Sequence, residues 1–267
     1  MLYKFYEIFD TSDFDKHIIN LTRKCISFIN RSSVEILDKK KDGSPLSVAD
    51  LKINKIIKKE LTLLSPSVPI LSEEKKFLTS KYLEKIYWLI DPIDGTKSYI
   101  CGGNEFTVNI ALIKNGKPIM GLIAHPPSKN IWYAKKKKLT IIRKNIECKE
   151  EKKSSFPVII TSKEKNQKLK QFLSKIGNHK RLLMSSSLKF CLIAENKADI
   201  YPRFTSINKW DIAAGHAIIK ASGGQLINQK GQTINYQSNT SQTGKFITIS
   251  KKSSIKKSFF LKIFNSK

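Results

Sequence analysis

Tyr87-Trp88-Leu89-Ile90-Asp91-Pro92-Ile93-Asp94-Gly95-Thr96 decides how this chain is to be read. Four apolar residues form a short strand, and two carboxylates three residues apart follow at its C-terminal end. Pro92 stiffens the exit and Gly95 releases it, so both acids can converge on a point outside a sheet, where sites of α/β proteins form. The competing reading is a tight Asx turn in which Asp94-Gly95 serves backbone geometry alone. Upstream, Ser72-Glu73-Glu74 follows another short apolar stretch and offers a carboxylate at the end of a neighbouring strand. Downstream, Trp210-Asp211 opens a helical stretch, where the plain role of the acid is an N-cap. Glu73, Asp91, Asp94 and Asp211 come from a chain with only 22 acids. Oxygen ligands without His or Cys partners specify a hard cation, Mg²⁺ before Zn²⁺.

Around this centre the pattern alternates. Apolar residues at Phe14, Ile18, Leu21, Cys25, Phe28 and Ile29 predict an amphipathic helix over roughly 14–37. A turn at Asp42-Gly43-Ser44-Pro45 precedes a second helix from Ser47, with Ile53, Ile56, Ile57, Leu61 and Leu64 on one face, stopping before Ser65-Pro66. Ser47 and Asp50 are spaced as a capping pair, the plain reading of Asp50. Strands at 106–113 and 118–124 are joined through Asn115-Gly116, a strong hairpin signal. Beyond Pro127 the pattern degrades, and the Lys135–Lys138 run reads as a solvated turn. The second half reads as strand 158–161, helices 164–176 and 187–196, strand 199–204, helix 211–222, and strands near 225–228 and 246–250. This predicts a layered α/β fold, with an N-terminal subdomain over 1–155, a C-terminal one over 156–250, and a basic tail over 251–267.

Of 267 residues, 49 are basic and 22 acidic, a formal charge of +27. Such a balance raises nucleic acid, an anionic membrane or a phosphorylated substrate as partners. Yet the basic residues are 44 lysines and only five arginines, and no zinc-finger, RNP or helix-turn-helix signature accompanies them, so a solvated surface is preferred and no nucleic acid is expected. Cys25, Cys101, Cys148 and Cys191 lie more than forty residues apart. They write neither a redox pair nor a cysteine zinc site, and free thiols in a reducing cytoplasm are expected.

Taken together, Ser72-Glu73-Glu74, Asp91-Pro92-Ile93-Asp94-Gly95-Thr96 and Trp210-Asp211-Ile212-Ala213-Ala214-Gly215 resemble the motifs of the inositol monophosphatase-like, lithium-sensitive, Mg²⁺-dependent phosphomonoesterases. Within that family the chain looks most like the bacterial 3′(2′),5′-bisphosphate nucleotidases. That likeness rests on Asp42-Gly43-Ser44-Pro45 with Ala49-Asp50, on Gly103 to Ile113, on Ser186-Ser187-Leu188-Lys189-Phe190-Cys191-Leu192, and on Tyr201-Pro202-Arg203-Phe204. It covers about residues 10 to 250.

The resemblance implies an α-β-α-β-α sugar-phosphatase fold, with two sheets and helices packed between and outside them. It implies hydrolysis of the 3′-phosphate of adenosine 3′,5′-bisphosphate to AMP, with the sulfated precursor as a further substrate, in sulfur assimilation. The same mechanism on an inositol phosphate or fructose 1,6-bisphosphate is the nearest alternative. A catalytically dead nucleic-acid-binding protein is the alternative from another class. Two or three Mg²⁺ ions are implied, held by Glu73, Asp91, Asp94, Asp211 and the Ile93 carbonyl. Asp50 and Thr96 match the pair that orients and deprotonates water. Substrate contacts fall on Glu73, Ile93, Asp94, Gly95, Thr96, Ser186, Lys189 and Asp211.

His216 reads as a buried helix histidine and Trp210 as packing. Ser185 stands where the family commonly has Gly, Lys163-Glu164 replaces an Arg-Ser-like pair, and the lysine run lacks the glycine expected at its turn. The tail mixes Ile255, Phe259, Phe260, Ile263 and Phe264 with lysines. It is suited to a peripheral contact with the cytoplasmic face of the inner membrane, with packing on the body as the competing reading.

Overall fold

The computed structural model describes residues 2–39, 45–74, 85–143, 154–163, 166–238, 240–255 and 257–265. In chain order the elements are α1 (Leu2–Phe9), α2 (Ser12–Ile29), β1 (Ile36–Lys39), β2 (Pro45–Ser47), α3 (Val48–Leu64), β3 (Ile70–Ser72), β4 (Ile86–Asp94), α4 (Thr96–Ile100), β5 (Thr107–Lys114), β6 (Lys117–His125) and β7 (Asn130–Lys135). They continue with β8 (Lys138–Ile142), β9 (Val158–Thr161), α5 (Gln167–Ile176), β10 (Lys180–Leu183), α6 (Leu188–Ala194), β11 (Ile200–Arg203), α7 (Lys209–Ala221), β12 (Gln225–Asn228), β13 (Phe246–Ile249) and α8 (Lys257–Asn265).

Two large sheets result. One has six strands in the order β3-β4-β5-β6-β7-β8, and the other five in the order β10-β9-β11-β13-β12. In the first, only β3 and β4 run parallel. Both faces of the six-stranded sheet are covered, so β4 is buried along almost its whole length. Trp88 and Ile90 meet Phe14, Ile18 and Leu21 of α2 and Ile53, Ile57 and Leu61 of α3. Tyr87 and Leu89, pointing the other way by the two-residue period of a strand, share a second core with α6, α7 and the five-stranded sheet. A third core joins α5 and α8 to the outer face of that sheet. The layering is therefore α-β-α-β-α, as expected.

The central layer requires small residues. A Cβ on Gly121 of β6 would lie 2.4 Å from the Ala214 carbonyl oxygen, and one on Gly215 would lie 2.4 Å from the Phe190 ring. Ala213-Ala214-Gly215 lets α7 lie directly on β6 and under α6. That contact fixes where the N-terminus of α7, and Asp211 with it, meets the end of β4.

The structure corrects several expectations. The first helix ends at Ile29, not near 37; Ser32 Oγ donates to the Phe28 carbonyl at 2.8 Å, a local bond that competes with helix continuation. Residues 36–39 then form β1. α1 was not expected; its Phe5 and Phe9 pack against Phe14. The stretch beyond Pro127, where the sequence pattern degrades, forms the regular hairpin β7–β8 as far as Ile142, with Trp132 paired to Ile141. The lysine run forms its turn, where Lys136 takes a φ of 58° in place of the missing glycine. β10 was also missed. The expected turn at Asp42-Gly43-Ser44 and the first two residues of the helix expected from 164 lie outside the described residues, as does Cys148.

The tail packs on the body, the competing reading of its apolar residues. Phe260 is fully buried and stacks on Phe172 at 5.8 Å between centroids, and Ile255 and Ile263 pack on the same core. Phe260, and in part Ile255 and Ile263, are thus taken up by the protein's own interior, while Phe259 stays exposed and the Phe264 side chain lies outside the described residues. Among the described residues, no helix is long and apolar enough to cross a membrane. Phe260→Ala should destabilise the protein by about 3–5 kcal/mol in denaturant unfolding; a cost below about 1 kcal/mol would show that α8 is not part of the folded core.

Candidate active site

In an unbroken strand Asp91 and Asp94, three residues apart, would point to opposite faces. The pairing of β4 with β5 prevents this. Asp91 opposes Asn109 and Asp94 opposes Thr107, so three steps on β4 match two on β5. This is a β-bulge, and it turns Asp94 back to the side of Asp91. Pro92 sits inside it, where its missing N–H costs no ladder bond. Gly95 follows with φ 91°, and a Cβ there would lie 2.7 Å from the Glu105 carbonyl oxygen. α4 then begins at Thr96.

Asp211 reaches the same point from α7. It is not the N-cap; that residue is Asn208, and Asp211 occupies the third helical position of a capping box. Its Oδ2 accepts the Asn208 N–H at 3.1 Å, fixing one carboxylate oxygen and leaving the other. Asp91, Asp94 and Asp211 offer oxygens that all lie within 4.8 Å of one another. Glu73, at the end of β3, is hydrogen-bonded to Asp91, and its own N–H donates to the Ile90 carbonyl at 3.2 Å.

The electrostatics are unfavourable without a cation. Burial, and then the charges of Glu73, Asp94 and Asp211, raise the Asp91 carboxyl well above the usual carboxylate range. Burial and the charges of Asp94 and Glu73 do the same to Asp211. Asp91 Oδ1 is buried and accepts no hydrogen bond. An orphaned carboxylate oxygen, facing acids at ligand spacing, fits a bound divalent cation. The oxygen-only donor set fits Mg²⁺.

The structure also brings Asp50 and Thr96 together. Asp50 is fully buried; its Oδ2 accepts the Ser47 N–H at 2.9 Å and the Ser47 hydroxyl at 2.5 Å. Its Oδ1 accepts from Thr96 Oγ1 at 3.3 Å. The Ile93 carbonyl, 2.9 Å from Thr96 Oγ1, is the alternative acceptor of the same hydroxyl proton. The capping reading of Asp50 is therefore correct for one oxygen, while the other faces Thr96.

Of the expected substrate contacts, Ser186 and Lys189 are engaged with the chain itself. Ser186 adopts φ 53° and its hydroxyl accepts the Leu188 N–H at 3.4 Å. The buried Lys189 ammonium donates to the Ser186 and Met184 carbonyls at 2.6 and 3.3 Å and lies over the Tyr201 ring. Burial lowers its pKa to about 8, against the attraction of Asp94. It braces the 184–187 turn. His216, as expected, is a buried helix residue, held neutral by burial, between the hydroxyls of Tyr236 and Thr233.

Sequence reading missed Ser187 and Asn109. Ser187 Oγ lies 2.6 Å from Asp94 Oδ2 and 2.8 Å from the Asp211 carbonyl oxygen, as a donor to either. Asn109 Nδ2 donates to Ser187 Oγ at 2.9 Å. The only signal available was their place in the motif stretches; what they touch depends on two sheets meeting. Glu105 was missed likewise: it accepts the Ser185 N–H at 2.9 Å across the mouth of the site.

The fold is a layered α/β one, and this carboxylate constellation could hold a metal ion. Residues 11–259 match the Inositol monophosphatase family model, and the chain belongs to that family. It is 39% identical over 204 residues to the 3′(2′),5′-bisphosphate nucleotidase CysQ of Salmonella typhimurium, covering 74% of this chain and 82% of that one. It is 41% identical over 211 residues to the CysQ of Buchnera aphidicola, covering 74% and 76%. The crystal structure of CysQ from Bacteroides thetaiotaomicron superposes with a TM-score of 0.71 at 29% identity, covering 88% and 94%.

Two expectations follow. Ser187→Ala removes the donor that orients Asp94, so the Mg²⁺ concentration for half-maximal turnover should rise about 10- to 100-fold in a metal titration. In EDTA, the protons that Asp91 and Asp211 retain when folded are released on unfolding. Stability should therefore fall as the pH rises through and above the ordinary carboxylate range, and added Mg²⁺ should restore it. A melting temperature that is flat with pH and unmoved by Mg²⁺ would remove the metal site.

Proposed function

We propose that this protein is a Mg²⁺-dependent phosphomonoesterase that hydrolyses the 3′-phosphate of adenosine 3′,5′-bisphosphate to give AMP and phosphate, with the sulfated precursor as a second substrate of sulfur assimilation. The observation that carries the reaction class is the Thr96–Asp50 contact beside a cluster of carboxylates within 4.8 Å of one another. The identity to CysQ nucleotidases supports the substrate.

Glu73, Asp91, Asp94, Asp211 and the Ile93 carbonyl would hold two or three ions. When bound, Mg²⁺ supplies charge neutralisation to a phosphate dianion and acidifies water. The chain supplies the rest. Ser47 occupies Asp50 Oδ2 with two donors, so Oδ1 is the oxygen left to take a proton. Thr96 donates to that oxygen and presents its lone pairs to an attacking water. A proton passes from the water to Thr96 Oγ1 as the Thr96 proton passes to Asp50 Oδ1. The first N–H groups of a helix have no partner within it, so those opening α4 at Thr96 are available to phosphate oxygens. Gly95 is needed there because no side chain fits against Glu105.

Arg203 supports the choice of a bisphosphate. Its guanidinium donates to Ser162 Oγ at 3.0 Å, and its charge acts on both Lys189 and Asp211. A second phosphate on the substrate would meet this cationic side, whereas an inositol monophosphate leaves it unused.

Phosphate release from adenosine 3′,5′-bisphosphate, with and without Mg²⁺ and beside inositol 1-phosphate, tests the reading. Turnover should need Mg²⁺, favour the nucleotide, and fall about 10²–10⁴-fold in Asp50→Asn, with most of the Mg²⁺-induced thermal shift kept. Preference for inositol phosphate would keep the chemistry and overturn the substrate. No turnover of either would overturn both.

A further inference from the structure

The chain has five arginines among its 49 basic residues, and three of them, Arg23, Arg31 and Arg143, line one pocket of about 540 Å³. Lys129 adds a fourth cation, Ile26, Ile131 and Ile142 supply an apolar floor, and no carboxylate is among the lining residues. Ile131 and Ile142 belong to the core shared with α2 and α3. Their neighbours Trp132 and Ile141 belong to the core on the other side of the sheet. Asp91 continues the alternation of Tyr87 and Leu89, which face that other side. The six-stranded sheet therefore stands between the pocket and the acidic cluster.

Three elements build the pocket. Arg23, Ser27 and Arg31 recur every four residues along one stripe running off the end of α2. Asn30 Nδ2 donates to the Pro126 carbonyl at 2.9 Å, tying that end to the β6–β7 turn, where Lys129 is held at φ 59°. Arg143 follows β8 and shares its charge with Glu195 at 2.6 Å. Among the described residues no ion pair reaches Arg23, Arg31 or Lys129. A cation at the C-terminal end of α2 has a dipole role of its own, which accounts for Arg31 but for none of the other three. Gathering uncompensated cations costs repulsion, and the planar guanidinium fork matches the geometry of a phosphate better than lysine does. An isoleucine floor beneath such a rim suits a ligand with an apolar body.

We propose that this pocket binds phosphate or phosphonate anions carrying a flat apolar group, as a site separate from the acidic cluster. Three uncompensated charges exceed what a monocarboxylate needs and suit a dianion. With no carboxylate to hold a metal, the pocket binds its ligand without hydrolysing it.

Phenylphosphonate is the probe, because its carbon–phosphorus bond resists hydrolysis, and methylphosphonate carries the same head without the ring. Calorimetric titration of the full chain in EDTA at constant ionic strength should show saturable phenylphosphonate binding, about tenfold tighter than methylphosphonate. In Arg23→Gln/Arg31→Gln that affinity should fall about tenfold or more, the equivalent of one lost charged hydrogen bond. Both side chains are exposed, so the variant should keep its melting temperature and its Mg²⁺-dependent turnover. No saturable binding, or unchanged binding in the variant, would overturn the site; equal binding of the two phosphonates would overturn its apolar part. The readout needs no turnover, so failure of this site and failure of the phosphatase reading are distinguishable.

Discussion

Carboxylates within 4.8 Å of one another, one of them buried and two half-buried, repel by about 1 kcal/mol per pair even at water's dielectric and by more when buried. Among the described residues nothing relieves this fully: Asp91 Oδ1 is left with no donor, and burial and the neighbouring charges raise the Asp91 and Asp211 carboxyls well above the usual carboxylate range. The architecture has to keep these groups together against their own repulsion. The bulge at Pro92 forces Asp94 to the side of Asp91. The capping box at Asn208 pins one oxygen of Asp211, and the Ser187 hydroxyl lies within hydrogen-bond reach of both Asp94 and the α7 backbone. Each device belongs to a different element, so the site exists only when both sheets and the helices between them are assembled.

That dependence explains the small residues of the middle layer. If Gly121 or Gly215 carried a side chain, α7 would have to move away from β6 or α6, and Asp211 would leave the acid cluster. Packing and chemistry are one constraint here: the same close approach that buries Ala213, Ala214 and Ile218 sets the distance between a strand-borne and a helix-borne ligand. Lys189 serves the same end, its buried ammonium bracing the turn that presents Ser187.

The uneven use of cations is a second theme. With lysine so abundant, positive charge alone is a weak guide to function in this chain. The arginines are more informative, since they stand beside the acidic site at Arg203 and around the pocket under α2, where a fixed fork of donors is useful. The basic tail shows the opposite case: it reads as a surface binder by composition, yet its aromatic residue Phe260 lies in the core.

The sequence by itself determined the elements with strong periodicity, α2 through Ile29, α3, the β5–β6 hairpin and α7, and it marked Asp50, Glu73, Asp91, Asp94 and Asp211. These were legible because apolar spacing, turn residues and clustered carboxylates are local signals. Tertiary structure alone decided the rest. Where α2 stops, why residues 130–142 form a hairpin through a lysine turn, and that Asp211 is a third-position partner instead of a cap all depend on what packs alongside. Ser187 and Asn109 acquire their role only because two strands and two helices from distant parts of the chain bring them to Asp94. A hydrogen bond between residues 78 or 93 positions apart leaves no trace in local spacing, since its energy is realised only after the sheets have closed around α6 and α7.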